Sequence, residues 1–253
     1  MITIKSDKEI ELMRKAGYLV SLTHQYLKPF IKPGITTLEL DKLAEEFILN
    51  NGGIPTCKGY EGFPNSLCVS VNDEVVHGIP GTRKLKNGDI VTIDMVIGYH
   101  GYQGDAAWTY AVGDISDDKK YLMKHTEEAL YEGIKMVRVG NRIGDISNAI
   151  ESYAKNHNLG VVRELVGHGI GTNMHEEPDV PNYGKAGTGT RLKAGMVICI
   201  EPMLNFGSAD IGILDDDWTI VTQDGKPSAH YEHTVLVTKD GYEILTPRIG
   251  DDL

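Results

Sequence analysis

Three carboxylates occupy places where strand-forming sequence does not ordinarily tolerate them. Asp94 follows Ile-Val-Thr-Ile, Glu201 follows Val-Ile-Cys-Ile, and Glu232 stands just ahead of Thr-Val-Leu-Val. Strand interiors disfavour Asp and Glu. A carboxylate set in an apolar run is costly unless it is paired or bound to a metal. Asp105 lies 11 residues after Asp94 (105 − 94), and the segment between them carries Gly98, Gly101 and Gly104. That is hairpin composition, and a hairpin would bring the two carboxylates side by side on adjacent strands. Two carboxylates that close do not both ionise comfortably without a cation. One divalent ion relieves the repulsion, and two let a carboxylate bridge them.

Histidines in glycine-rich surroundings add nitrogen donors. His77 sits in Val-Val-His-Gly-Ile-Pro, His168 in Val-Gly-His-Gly-Ile-Gly, and His175 follows His168 by 7 positions (175 − 168). A glycine beside a histidine lets the backbone pass close to a ligand, so these three read as ligands or acid–base groups. His24, His125 and His157 fall on expected helices and are expected at the surface. His100 falls at the hairpin tip. His230 and His233 flank Glu232, with His233 facing away from it by strand alternation. None of these six is assigned chemistry. The resulting metal-ligand set is Asp94, Asp105, His168, Glu201 and Glu232. It is rich in oxygen, unlike a thiolate-rich structural zinc site. It suits Mn²⁺, Fe²⁺ or Co²⁺ and also admits Zn²⁺. Two metals about 3.5–4 Å apart are the usual arrangement for metal-assisted hydrolysis.

The elements that must hold these residues recur within the chain. Leu85 to Asp94 (LKNGDIVTID) matches Leu192 to Glu201 (LKAGMVICIE) at an offset of 107 (201 − 94). Apolar positions 40, 43, 44, 47 and 48 match 146, 149, 150, 153 and 154 at an offset of 106 (146 − 40). Both sets follow the spacing of one helix face. Thr36 and Glu39 form a capping box at the first of these helices. The repeat predicts a single domain over 1–253, made of two related halves (about 1–112 and 113–253) with a cleft where they meet. Opening helices are expected over Asp7 to Lys28 and Lys119 to Val137. Strands are expected over 67–71, 89–97, 102–112, 196–204, 218–222, 230–238 and 242–245, separated by glycine-rich turns. Runs of helices followed by hairpin-linked strands indicate an α+β fold with an antiparallel sheet flanked by helices.

Bulk properties narrow the function. The chain has 253 residues and a formal net charge of −11, which argues against binding nucleic acid or anionic membrane. No stretch approaches the roughly 20 apolar residues that span a bilayer. The N-terminus lacks the apolar core of a signal peptide. Cys57, Cys68 and Cys199 are an odd number without finger spacing, and read as reduced thiols in a cytoplasmic protein.

The ordered set HGIP, ID, GDAAW, GHGIG, HEEPDVPNYG, IEPM and YEHT strongly resembles the type I methionine aminopeptidases of the bacterial kind, over essentially the whole chain. The resemblance implies the pseudo-two-fold "pita-bread" fold. It also implies removal of the initiator methionine from nascent proteins when the second residue is small and uncharged, by two-metal hydroxide attack on the first peptide bond. Asp94 and Asp105 would ligate one metal, His168 and Glu201 would hold the second, and Asp105 and Glu232 would bridge. Glu201 would also be the general base, His175 would contact the scissile carbonyl oxygen, and His77 would lie near the leaving amide. Cys57, Tyr60, Phe63, Cys68 and Trp218 would form the methionine pocket, where a thioether packs well against aromatic rings and sulfur. Phe63 stands where relatives often have Tyr, Cys199 where Thr is common, and His230 where Gln is common. Asn72 and Ser228 match positions near a monovalent-cation site. The separation of Glu201 and Glu232 (232 − 201 = 31) leaves no room for the type II insertion. The chain also starts almost at its first helix, unlike the X-Pro-cleaving relatives, which carry an N-terminal domain. Those enzymes, and a non-catalytic binding protein on the same fold, are the alternative readings. A monomer acting on nascent N-termini, with transient ribosome contact, is the partner state implied.

Overall fold

The computed structural model describes residues 2–250. The first half runs α1 (Asp7–Leu27), α2 (Thr37–Asn50), β1 (Ile54–Pro55), β2 (Cys68–Val71), β3 (Glu74–Val76), β4 (Ile90–Tyr99) and β5 (Tyr102–Ala111). The second half opens with α3 (Asp117–Ile134), α4 (Ile143–Asn156), β6 (Gly160–Val161), β7 (Gly167–Gly169) and β8 (Glu176–Val180). It closes with β9 (Val197–Ile200), β10 (Met203–Asn205), β11 (Ile211–Ile213), β12 (Ile220–Thr222), β13 (Ser228–His230), β14 (His233–Val237) and β15 (Tyr242–Ile244). Every strand pairing among the described residues is antiparallel. The expected sheet is divided into four hydrogen-bonded pieces, the largest ordered β15-β14-β9-β7-β8. Helices α1 and α2 pack together, with α1 over β4 and β5, and α3 packs on α4 and on the strands of the second half.

The internal offset reappears in three dimensions. Helices α2 and α4 have 14 residues each and start 106 positions apart (143 − 37). Thr36 caps α2, accepting from Glu39 N at 3.1 Å while Glu39 Oε2 accepts from Thr36 N at 2.8 Å. At α4 the Asp145 carboxylate accepts from Arg142 N at 2.7 Å. Leu85 N donates to Ile35 O, and Leu192 N donates to Asn141 O, both at 2.8 Å. Each half thus ties the loop before its second helix to the turn that leads into its central strand.

The halves meet where β5 runs beside the Ser228–Val237 segment. Glu232 N donates to Ala107 O at 2.8 Å. The Thr234 hydroxyl accepts from Asp105 N at 3.0 Å and donates to Asp105 O at 2.8 Å. Thr109 Oγ1 likewise accepts from His230 N at 3.1 Å and donates to His230 O at 2.8 Å. One apolar core runs through both halves, from Leu19, Leu40 and Ile93 to Ile146, Ile198 and Val235.

Several local expectations are corrected. The strand expected over 196–204 is interrupted at Glu201 and Pro202, because proline has no N–H to give a ladder, and so becomes β9 and β10. The run expected over 230–238 is broken at Tyr231 and Glu232, between β13 and β14. Glu201 and Glu232 therefore stand at strand breaks, and only Asp94 and Asp105 lie within strands. His24 is not a surface residue: it is buried on the inner face of α1, with its ring stacked on Trp108 at 4.0 Å between centroids. His125 and His157 are half-buried and stack on each other at 4.1 Å, because α3 and α4 face one another there. No helix among the described residues is long and apolar enough to cross a membrane.

Candidate metal centre and substrate pocket

The β4–β5 hairpin turns through His100 and Gly101, both at positive φ (48° and 85°), which is the two-residue geometry that matches strand twist. Its register pairs Asp94 with Ala107 and Val96 with Asp105. The two carboxylates are consequently diagonal neighbours on one face rather than directly opposite. The hairpin sits tight against α1, since a Cβ on Gly104 would lie 2.5 Å from Gly17 N. This contact requires glycine at 104, while Gly17 is held to glycine by a different neighbour, since a Cβ there would lie 2.3 Å from Leu245 O.

His168 completes the cluster from the middle of β7. Its Nε2 lies 3.5 Å from Glu201 Oε1 and 3.7 Å from Asp105 Oδ2. One donor atom from each of Asp105, His168 and Glu232 lies within 4.8 Å of the others. Asp94 stands outside that tight group and faces the same cavity. Cys199 has a sulfur within the same radius. It does not line the cavity, and its Sγ instead lies 3.6 Å from Thr234 Oγ1 in the apolar layer behind β9.

The chemistry of these donors fits a divalent cation. His168 Nδ1 lies 2.9 Å from Gly169 O. An N–H donated there leaves Nε2 with its lone pair facing carboxylate oxygens, the tautomer that metal-ligating histidines adopt. Burial lowers the His168 pKa to about 4, so the ring is neutral at physiological pH. Asp105 Oδ1 and Glu232 Oε1 are buried without a hydrogen-bond partner. Among the described residues lining the cavity there is no lysine or arginine to neutralise them. Burial pushes Asp94 up to about 7. Asp105, Glu201 and Glu232 are raised well above the carboxylate range, first by burial and then by each other's charge. Four acids that resist ionisation around a neutral imidazole form a site whose charge a metal would balance.

The adjoining cavity measures about 570 Å³, within the range of small-ligand pockets. Its apolar wall brings together Cys57, Phe63, Cys68, Val96 and Met174, with Tyr60, Ile79 and Trp218 against them. Phe63 meets Trp218 edge to face at 5.1 Å. All five pocket residues singled out in the sequence lie here. Met174, Val96 and Ile79 are additions that the sequence reading missed, since nothing in their spacing marks them. Asp41 is a further omission. It is buried in α2 and accepts from Ser66 N and Leu67 N at 2.9 Å and from Asn65 Nδ2 at 2.8 Å, which holds the segment between Phe63 and the start of β2 at Cys68. The available signal was an acid three residues before Ala44 and seven before Ile48, on the apolar face of an expected helix.

His77 and His175 sit on the cavity wall. His175 Nδ1 is 2.9 Å from the Tyr60 hydroxyl, and its ring stands perpendicular to His168 with centroids 4.4 Å apart. Burial lowers the pKa of both His77 and His175. Asn72 and Ser228 lie away from this cluster. Ser228 N donates to Asn72 O at 2.9 Å, and the Lys119 ammonium donates to Asn72 Oδ1 at 2.7 Å.

The chain is similar to known metallopeptidases over nearly its whole length. Residues 11–239 match the model of metallopeptidase family M24. The methionine aminopeptidase 1 of Bacillus subtilis strain 168 is 54% identical over 97% of this chain and 99% of its own length. The Clostridium perfringens methionine aminopeptidase is 52% identical with the same coverage. The crystal structure of the Rickettsia prowazekii methionine aminopeptidase superposes with a TM-score of 0.96 at 45% identity, covering 98% of this chain and all of that one. The prolidase of Pyrococcus horikoshii, at 23% identity and a TM-score of 0.79, shares the fold.

Proposed function

The chain belongs to metallopeptidase family M24, and from that premise we propose that it is a methionine aminopeptidase of the bacterial type I class, which removes methionine from the N-terminus of peptides. The observation that carries this reading is the juxtaposition of an oxygen-rich donor cluster with a pocket of aromatic and sulfur side chains. Asp105 and His168 lie 3.7 Å apart at the floor of a cavity walled by Cys57, Phe63, Cys68 and Trp218. A thioether gains about 0.3–1.5 kcal/mol per aromatic contact in such surroundings. Residues 1–253 are read as one catalytic domain of two related halves, about 1–112 and 113–253.

Asp94, Asp105, His168, Glu201 and Glu232 would hold two divalent ions drawn from Mn²⁺, Fe²⁺, Co²⁺ or Zn²⁺, with a monovalent cation near Asn72 and Ser228 as a further part of the reading. Divalent ions there would polarise the first carbonyl and lower the pKa of a water towards roughly 7. The chain's own groups supply the rest. Glu201, whose burial strengthens its hold on a proton, accepts the proton of the attacking water and passes it to the leaving amine. Tyr60, by donating its hydroxyl proton to His175 Nδ1, leaves Nε2–H free to donate to the carbonyl oxygen as charge develops there. One such donor is worth roughly 2.7–4 kcal/mol in comparable sites. His77, on the cavity wall, would face the amide nitrogen of the leaving group. The apolar wall would take the methionine side chain and so set which peptide bond meets Glu201. A cytoplasmic monomer that meets nascent chains, with transient ribosome contact, is the setting this activity implies.

The test is release of free methionine from Met-Ala-Ser and Met-Leu-Ser by metal-stripped protein, with and without added Mn²⁺ or Co²⁺. Metal-dependent cleavage of the first peptide and not the second supports the reading and its small-second-residue rule. Folded protein that releases no methionine with any ion overturns it.

A further inference from the structure

His230 has no part in the mechanism above, yet its surroundings are unusual. It is 1% exposed, and it lines the same cavity as the donor cluster. Neither Nδ1 nor Nε2 has a hydrogen-bond partner. A buried imidazole left so gives up the hydrogen bonds that water would offer it. Nε2 lies 3.7 Å from Glu201 Oε2, beyond hydrogen-bonding distance. One donor atom from each of Glu201, His230 and Glu232 lies within 4.8 Å of the others. Metal–donor bonds of about 2.0–2.2 Å place neighbouring donors on one ion about 3–4 Å apart, and 3.7 Å falls inside that window. The fold also fixes the backbone that carries the ring. Thr109 Oγ1 clamps His230 N and O at 3.1 and 2.8 Å, and β13 holds the residue opposite Met203 of β10.

We propose that His230 Nε2 is a second imidazole ligand of the metal centre, which holds a divalent cation with Glu201 and Glu232 at a position adjoining the His168 cluster and sharing Glu232 with it. The proposal rests on the metallopeptidase reading. It extends that reading by adding a nitrogen donor on the far oxygen of Glu201, where the resemblance to the family assigns none. It also sets a preference. Imidazole suits Zn²⁺, Fe²⁺ and Ni²⁺, whereas a centre with fewer nitrogens leans towards Mn²⁺. Replacing His230 should therefore weaken the borderline ions selectively.

Two measurements on the whole chain test this. X-ray absorption of the Zn²⁺-loaded protein counts imidazoles by their outer-shell scattering. Two per chain are expected in the wild type and one in His230→Gln. Calorimetric titration should show Zn²⁺ affinity falling at least about 10-fold in the variant, since a lost ligand costs no less than a lost outer-shell partner, while Mn²⁺ affinity changes less than about threefold. A single imidazole per chain in the wild type, or equal losses for both ions, overturns the role of His230. The wild-type count does not depend on the variant folding, and circular dichroism checks that it does. A folded wild type that takes up neither ion would overturn the metallopeptidase reading itself, a result distinct from a metal-loaded centre with one imidazole.

Discussion

Loading the centre with metal should expel protons and stabilise the fold, increasingly so as pH rises. In the metal-free protein Asp94 titrates near 7, and Asp105, Glu201 and Glu232 are pushed up by burial and mutual repulsion. The folded state therefore holds protons that the unfolded chain, with ordinary carboxylates near 4, has already lost. Such raised groups contribute stability that is fully present below the unfolded pKa and is lost as pH rises through the folded one. The slope is about 1.4 kcal/mol per pH unit per group. A metal needs the carboxylates ionised, so uptake at pH 7 should release protons. At a free-metal concentration of 100 Kd the fold gains about 2.7 kcal/mol, or about 5–11 °C in Tm for a chain of this size. The assay is calorimetric titration of metal-stripped protein with Mn²⁺ in phosphate and in Tris at pH 7, with melting curves from pH 5 to 8. The observed heat should depend on the buffer's ionisation enthalpy. The gap in Tm between loaded and stripped protein should widen with pH, and titrating groups elsewhere contribute alike to both curves. Stoichiometric uptake with no buffer dependence, or a gap that stays constant with pH, would refute the charge balance argued for this site.

Glu201→Gln should retain the fold and lower kcat for Met-Ala-Ser by at least about 100-fold, the usual scale for losing a positioned acid–base group; a turnover assay beside a melting curve reads this. Tyr60→Phe removes the hydroxyl that fixes His175 and should reduce kcat more than KM, as steady-state kinetics on the same peptide would show. Gly104→Ala places a methyl group 2.5 Å from Gly17 N and should cost about 1–3 kcal/mol in urea unfolding. His24 is neutral in the fold, its pKa lowered by burial to about 3, so its contribution is complete above the unfolded value near 6.5 and declines towards pH 3 by about 1.4 kcal/mol per unit. His24→Gln should accordingly flatten the fall in urea midpoint between pH 6.5 and 5.

The parts of the structure legible in the sequence were those governed by periodicity. The α2 and α4 faces, the capping box at Thr36 and the offset between the halves all arise from local rules that the chain obeys twice. The β4–β5 hairpin was legible for the same reason, since His100 and Gly101 stand where a two-residue turn needs positive φ. What escaped depends on partners distant in sequence. His24 looked like a polar helix residue because the ring it stacks on, Trp108, lies 84 positions away (108 − 24). Asp41 was unremarked because the amides it holds belong to a loop 25 and 26 residues further on. His230 resembled any histidine near a strand, and only the assembled cavity reveals that both its nitrogens lack a partner.

The positions of Glu201 and Glu232 explain why the sequence found them by an argument that was partly wrong. They drew notice as carboxylates inside strands, where burial without a partner is costly. Both in fact lie at breaks, after β9 and before β14. The break is what makes them useful. Within a continuous ladder, successive side chains alternate between faces and neighbouring backbones keep a fixed spacing. Asp94 and Asp105, inside β4 and β5, are held diagonally by register alone. Pro202 ends β9 at Glu201 and frees its carboxylate to reach His168 Nε2 at 3.5 Å. Glu232, with its N–H on Ala107 O instead of on a β14 partner, joins β5 to the second half beside Asp105. A pair held inside strands of one half thus faces a pair set at strand breaks of the other. Straightening either break, for instance with Pro202→Val, should extend the ladder and draw Glu201 out of reach of His168. Metal affinity would then fall with little loss in Tm of the stripped protein, and unchanged affinity in that variant would contradict this account of the break.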